Sequence, residues 1–277
     1  MRTGVRAALA VLAVTLAAPA GALGATFRPA GPEGGPVLLA AGGGRIFGEA
    51  QSGIALRDVH GWRRCTALPR ALRLRGGDDD LPRLAVAADG AVWVVGRAGL
   101  ATGGRDCATW RRVPAPGATL GIVALAGPTA PLIAIQRDKI RRSDDGGRTW
   151  QVSSRLEREP AGAVAGGQTI VIDPAEGSRA CSSDGGRTWR PLSGGEFSNA
   201  QTAIGGDGTI WSVDLGEGAL DVARACGAPR RTVAGGPPGQ LVGADLAGRA
   251  VFVDDDTNRL SLIEPATLAM RAGPVLG

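Results

Sequence analysis

Apolar residues in this chain fall in short unbroken runs between glycine-rich turns. Leu84-Ala85-Val86-Ala87, Val92-Trp93-Val94-Val95, Thr169-Ile170-Val171-Ile172 and Ala250-Val251-Phe252-Val253 are such runs. Their length suits strands, and their lack of apolar–polar alternation predicts burial of both faces. Apart from the N-terminal leader, no segment carries the 3.6-residue apolar stripe of a long amphipathic helix. Asp89-Gly90 before Val92 and Asp207-Gly208 before Ile210 are hairpin signals, because Asp and Gly tolerate positive φ. The expected class is all-β.

The pattern repeats. Ser143-Asp144-Asp145-Gly146-Gly147-Arg148-Thr149-Trp150 and Ser182-Ser183-Asp184-Gly185-Gly186-Arg187-Thr188-Trp189 both fit Ser-x-Asp-x-Gly-x-Thr-Trp and start 39 residues apart. A worn copy ends in Thr109-Trp110, 40 residues before Trp150, and a fainter one in Gly61-Trp62. Strand starts after glycine turns keep the same spacing: Trp93 and Trp211 are 118 residues apart, and Phe252 follows Trp211 by 41. Further copies start near Leu132 and Thr169. A period of about 40 residues is that of a four-stranded propeller blade. One domain, 26–277, then divides into six blades at 34–70, 82–115, 119–154, 160–194, 199–233 and 238–273. The expectation is a six-bladed β-propeller of four-stranded antiparallel blades, alternatively seven-bladed if terminal strands complete one more sheet. Radial stacking buries both faces of each sheet and leaves only short edges.

The octets at 143–150 and 182–189 resemble the Asp-box, or BNR repeat, of sialidases, sortilin-type receptors, xyloglucan hydrolases and photosystem II assembly/stability factors. The likeness is partial at 103–110 and faint near 56–62. It implies a propeller in which each box is a hairpin between the two outer strands of a blade. In length and layout the chain looks closest to the photosystem II assembly factor type, whose arginine patch has no residue-by-residue match here. The octets themselves suggest structural work. Asp145 and Asp184 can close Asx-like turns on backbone amides. Gly147 and Gly186 supply freedom that a Cβ would resist. Ser143 and Ser182 open the boxes, and Thr149 and Thr188 start the returning strands. Trp150 and Trp189 bring apolar area to bury against a neighbouring blade.

Four cysteines, Cys65, Cys107, Cys181 and Cys226, allow three connectivities, or free buried thiols. Their places in the repeats favour Cys65–Cys107 and Cys181–Cys226. Cys107 lies in the worn box, and Cys65 follows Trp62 on the outer strand of blade 1. Cys226 follows Arg224-Ala225 as Cys181 follows Arg179-Ala180, which suggests matching places in adjacent blades. Each bridge would then staple neighbours.

The N-terminus reads as a secretory signal, residues 1–25. Arg2 and Arg6 precede an apolar stretch from Ala7 to Ala18, then Pro19 and the small residues Ala22 and Gly24. An uncleaved anchor is the alternative. No later stretch approaches the length of a membrane span. A secreted or periplasmic chain with an even cysteine count is expected to form disulfides.

The net charge is +5, almost all of the positive side arginine, with Lys139 the sole lysine. Basic and acidic residues are interspersed and aromatics are 4%, which argues against a nucleic-acid groove. Sialidase chemistry needs a tyrosine nucleophile, and the chain has no tyrosine. A Ser-His-Asp hydrolase would rest on His60, the single histidine, without a Gly-x-Ser-x-Gly elbow. Asp78-Asp79-Asp80 and Asp254-Asp255-Asp256 lack the alternating oxygen ligands of a Ca²⁺ loop and read as solvated turns. No catalytic residue, metal or cofactor is therefore assigned. The expected function is a monomeric interaction scaffold for a protein, a peptide or a cell-surface polymer. The alternative is a glycan-binding or glycoside-hydrolase-like propeller.

Overall fold

A computed structural model describes residues 38–275 except 43–44, 51–52, 59–60, 66–80, 88, 97–98, 127–130, 176, 193–199, 215–218, 234–238, 255 and 258. The leader, His60 and Asp78-Asp79-Asp80 lie outside the described residues, as does Asp255 of the second acidic cluster.

Among the described residues twenty-four strands form six sheets, each of four strands paired in chain order. Blade 1 holds β1 (Leu38–Gly42), β2 (Arg45–Ala50), β3 (Gly53–Asp58) and β4 (Gly61–Arg64). Blade 2 holds β5 (Leu84–Val86), β6 (Val92–Gly96), β7 (Gly99–Gly103) and β8 (Trp110–Arg112). Blade 3 holds β9 (Thr119–Ala124), β10 (Leu132–Gln136), β11 (Lys139–Ser143) and β12 (Gln151–Arg155). Blade 4 holds β13 (Pro160–Gly166), β14 (Thr169–Pro174), β15 (Ala180–Ser182) and β16 (Arg190–Pro191). Blade 5 holds β17 (Ala200–Ile204), β18 (Ile210–Asp214), β19 (Leu220–Ala223) and β20 (Arg231–Val233). Blade 6 holds β21 (Gln240–Ala244), β22 (Ala250–Val253), β23 (Arg259–Ile263) and β24 (Met270–Val275). The protein is a six-bladed antiparallel β-propeller. Every sheet uses four consecutive strands, so among the described residues none is completed by a terminal strand, and the seven-bladed alternative falls.

First strands of successive blades approach one another, β1 with β5, β5 with β9, β13 with β17 and β17 with β21. They surround the axis, and the fourth strands form the rim. The unbroken apolar runs find their reason in the core. Successive side chains of a strand point to opposite sheet faces, and each face meets a different blade. In β6, Val92 and Val94 join the cluster shared with blade 1, while Trp93 and Val95 join the one shared with blade 3. In β10, Leu132 and Ala134 face blade 2, and Ile133 and Ile135 face blade 4. A sheet with one wet face would have shown alternation instead.

Candidate functional site

The octets lie in the turns joining third to fourth strands, from β11 to β12 and from β15 to β16. Asp145 Oδ1 accepts the N–H groups of Arg148 at 3.0 Å and Thr149 at 2.9 Å, while its Oδ2 takes the Thr149 hydroxyl at 2.6 Å. Ser143 donates its hydroxyl to Asp145 and accepts the Gly147 N–H, both at 2.8 Å. Asp184 repeats this with Ser182, Arg187 and Thr188 at 2.6–2.9 Å, and Ser182 accepts the Gly186 N–H at 2.9 Å. The bonds shape the acidity of both groups. The Thr149 hydroxyl and N–H hold Asp145 well below the usual carboxylate range. At Asp184 burial opposes the charge, but the Thr188, Ser182 and Arg187 donors outweigh it and hold the carboxyl at about 2.

Thr149 and Thr188 prove to be turn residues. Strands β12 and β16 begin at Gln151 and Arg190, because the two threonines spend their N–H and hydroxyl groups on the aspartates. Trp150 and Trp189 are partly buried, and each indole N–H bonds the carbonyl of a glycine in its own octet, Gly147 or Gly186, at 3.2 Å. Their rings pack into the seam with the preceding blade, Trp150 on blade 2 and Trp189 on blade 3.

Every described third-to-fourth-strand turn leans back on the blade before it. The disulfides follow this rule. Cys107, in the turn of blade 2, bonds Cys65 of blade 1, with Cα atoms 5.4 Å apart. Cys226, in the turn of blade 5, bonds Cys181 of blade 4 at 5.7 Å. Cys65 sits one residue past the end of β4. The expectation of matching places for Cys181 and Cys226 fails. Cys181 lies in β15 opposite Val171, and its equivalent in β19 is Val222, opposite Trp211. A bridge that spans a seam from turn to strand must have inequivalent ends. Arginines reinforce the same contacts: Arg63 donates to Asp106 O at 3.1 Å, Arg142 to Gly185 O, and Arg231 to Pro265 O and Ala266 O. In blade 6, Leu268, at φ 60°, packs into the seam with blade 5.

The first-to-second-strand turns open on the same face and stack round the axis. Ala126 N–H bonds Gly167 O and Gly206 N–H bonds Asp245 O, both at 2.9 Å. Glycine is required here, since a Cβ on Gly167 would collide with the Gly206 carbonyl. Between this inner ring and the outer third-to-fourth-strand turns runs a shallow trough over blades 4 to 6. It comprises two hollows of about 350 and 370 Å³ that share Asp207 and Arg224. The Asp207 carboxylate is engaged by Thr209, its N–H at 2.9 Å and its hydroxyl at 2.8 Å. Arg224 is exposed and makes no ion pair among the described residues. Gln168 lines the first hollow, and its buried side-chain Nε2 lacks a hydrogen-bond partner. The trough thus offers donors over a glycine floor. The sequence pattern marked Asp207 only as a turn residue and Arg224 only as a neighbour of Cys226, and gave neither them nor Gln168 a place in a site. The 39-residue step from Gly167 to Gly206 marks the turns, but which side chains converge depends on how one blade packs against the next.

Among the described residues no three His, Cys, Asp or Glu side chains group as metal ligands, and no helix is long and apolar enough to cross a membrane.

By sequence the chain matches no protein-family description and no curated relative. By structure it is similar to virginiamycin B lyase from Staphylococcus aureus, with a TM-score of 0.59 and 12% identity over 88% of this chain and 85% of the lyase. It is also similar to a catalytically inactive variant of that lyase with quinupristin, with a TM-score of 0.53 and 14% identity over 84% of this chain and 81% of that one. YCF48 bound to D1 peptide aligns with a TM-score of 0.54 and 16% identity, covering 82% of this chain and 78% of YCF48. At these identities the likeness establishes the propeller fold, on which both an enzyme and a peptide-binding protein are built.

Proposed function

We propose that this chain is an exported, non-catalytic Asp-box propeller that works as a monomer and holds an extended segment of a partner protein in the trough over blades 4 to 6. The observation that carries the reading is the exposed Arg224 guanidinium at the centre of the trough, with the unpartnered Gln168 Nε2 beside it. An extended segment brings backbone carbonyls for Gln168 and an acidic side chain for Arg224, and the glycine floor lets its backbone come close. YCF48 with D1 peptide is a precedent for a peptide on this scaffold. Export is supported by the leader pattern at 1–25 and by two disulfides, which persist in oxidising compartments. The non-catalytic assignment rests on the sequence, which has one histidine and no tyrosine.

The test is a peptide array probed with the mature chain and with Arg224→Glu. Acidic peptides should bind the former and lose binding to the latter. Equal binding by both would remove the trough from the account. Saturable binding to a glycan array in place of peptides would replace the reading altogether.

A further inference from the structure

Arg224 is carried by a turn that lacks the chemistry of the octets. In blades 3 and 4 the outer turn is closed from within, because Asp145 and Asp184 each collect two of its N–H groups. The turn between β19 and β20 reads Arg224-Ala225-Cys226-Gly227-Ala228-Pro229-Arg230 and has no carboxylate or hydroxyl for that role. Its backbone closes on itself through Ala228 N–H and Ala225 O at 3.1 Å. Its other anchors come from blade 4. Cys226 is bridged to Cys181 of β15, and its N–H donates to Ser183 Oγ at 2.9 Å. Gly227 lies so near β16 that a Cβ there would meet Arg190 Nη1 at 3.2 Å. Arg224 stands two residues before Cys226 and is exposed, while both cysteines are buried in the seam of blades 4 and 5.

Blade 2 shows the same exchange. Counted back from Trp110 as from Trp150, Arg105 takes the place of Asp145 and Cys107 that of Gly147. Cys107 keeps the positive φ of that place, 50° against 77°, and ties its turn to blade 1. In both turns a covalent tie to the preceding blade stands where the box aspartate is missing. A loose turn must be ordered whenever its arginine binds an anion, and affinity falls accordingly.

We infer that the Cys181–Cys226 bridge positions Arg224 for the acidic group of a bound peptide, taking over in blade 5 what the aspartates do in blades 3 and 4. This role rests on the trough being a peptide site.

The probe is a fluorescein-labelled acidic peptide, chosen from the array because Arg224→Glu abolishes its binding. Well below the melting range, Cys181→Ser/Cys226→Ser should bind it about tenfold more weakly than the parent, since binding must then order the turn. Cys181→Val/Cys226→Ala is a second bridge-free chain, with valine at 181 as β19 has at Val222, and should behave alike. Cys65→Ser/Cys107→Ser opens a loop of 42 residues, against 45, and should bind as the parent does. Once Arg224→Ala is present, loss of the Cys181–Cys226 bridge should weaken binding no further. Parent-like binding without that bridge, equal weakening by loss of either bridge, or full additivity with Arg224→Ala overturns the positioning role and leaves the peptide site standing. If no array peptide depends on Arg224, the peptide site falls, and amide exchange decides the positioning by itself. Exchange at Ala228 should quicken in both chains lacking the Cys181–Cys226 bridge and stay unchanged in Cys65→Ser/Cys107→Ser. Unchanged exchange at Ala228 in the former overturns it.

Discussion

Gly147 sits against the ring of Trp93, so closely that a Cβ there would lie 2.7 Å from Cη2. Gly186 stands in the same relation to Ile133 Cδ1, at 2.6 Å. Trp93 and Ile133 occupy the second strands of blades 2 and 3. Each octet therefore keys into the blade behind it, and the glycine is the point of contact.

Gly147→Ala should destabilise more than Gly146→Ala. Both positions have positive φ, at 77° and 67°, but nothing lies within 4 Å of a Cβ at Gly146. Gly146→Ala should cost about 1–2 kcal/mol in backbone strain. Gly147→Ala should add about 1–3 kcal/mol for overpacking against Trp93. Denaturant melts of the two variants check this, and equal losses would show that the indole yields freely.

Stability should depend on pH through Asp184. Its folded value, about 2, lies below the unfolded value of about 3.9. The carboxylate therefore stabilises fully above about pH 4, and its contribution is lost as pH falls towards about 2. Asp184→Ala should have a lower Tm than the parent at pH 7, and the gap should close near pH 2. A gap that is the same at both pH values would remove the turn hydrogen bonds from the explanation.

Each disulfide should contribute about 4 kcal/mol by limiting the unfolded chain, as expected for closed loops of 42 and 45 residues. Calorimetry of Cys65→Ser/Cys107→Ser and of Cys181→Ser/Cys226→Ser measures the two seams separately. For a domain of this size the Tm should fall by about 2–4 °C for each kcal/mol lost.

Trp211→Phe should destabilise by about 1–3 kcal/mol. The fully buried indole N–H bonds Gly248 O at 2.7 Å across the seam of blades 5 and 6. Phenylalanine leaves that carbonyl buried without its donor. Loss of stability without loss of the fold is expected, read from urea melts and circular dichroism.

Six blades were legible in the chain because their signals are local. Asp89-Gly90, Asp207-Gly208 and the two octets carry their turn chemistry within eight residues, and the strands between them need only apolar side chains. The inferred blade limits fall close to the observed sheets for the same reason. The repeat pattern misplaces Thr149 and Thr188 because their side-chain bonds to Asp145 and Asp184 delay the strand start, and spacing does not reveal such competition.

The amino-acid order by itself determined the period, the turns and the two-sided burial of the strands, since each follows from neighbours a few positions apart. Tertiary structure alone decided that each described outer turn leans on the preceding blade and that Arg224 and Gln168 share one hollow. These residues are tens of positions apart, and only the packing of one blade against the next brings them together.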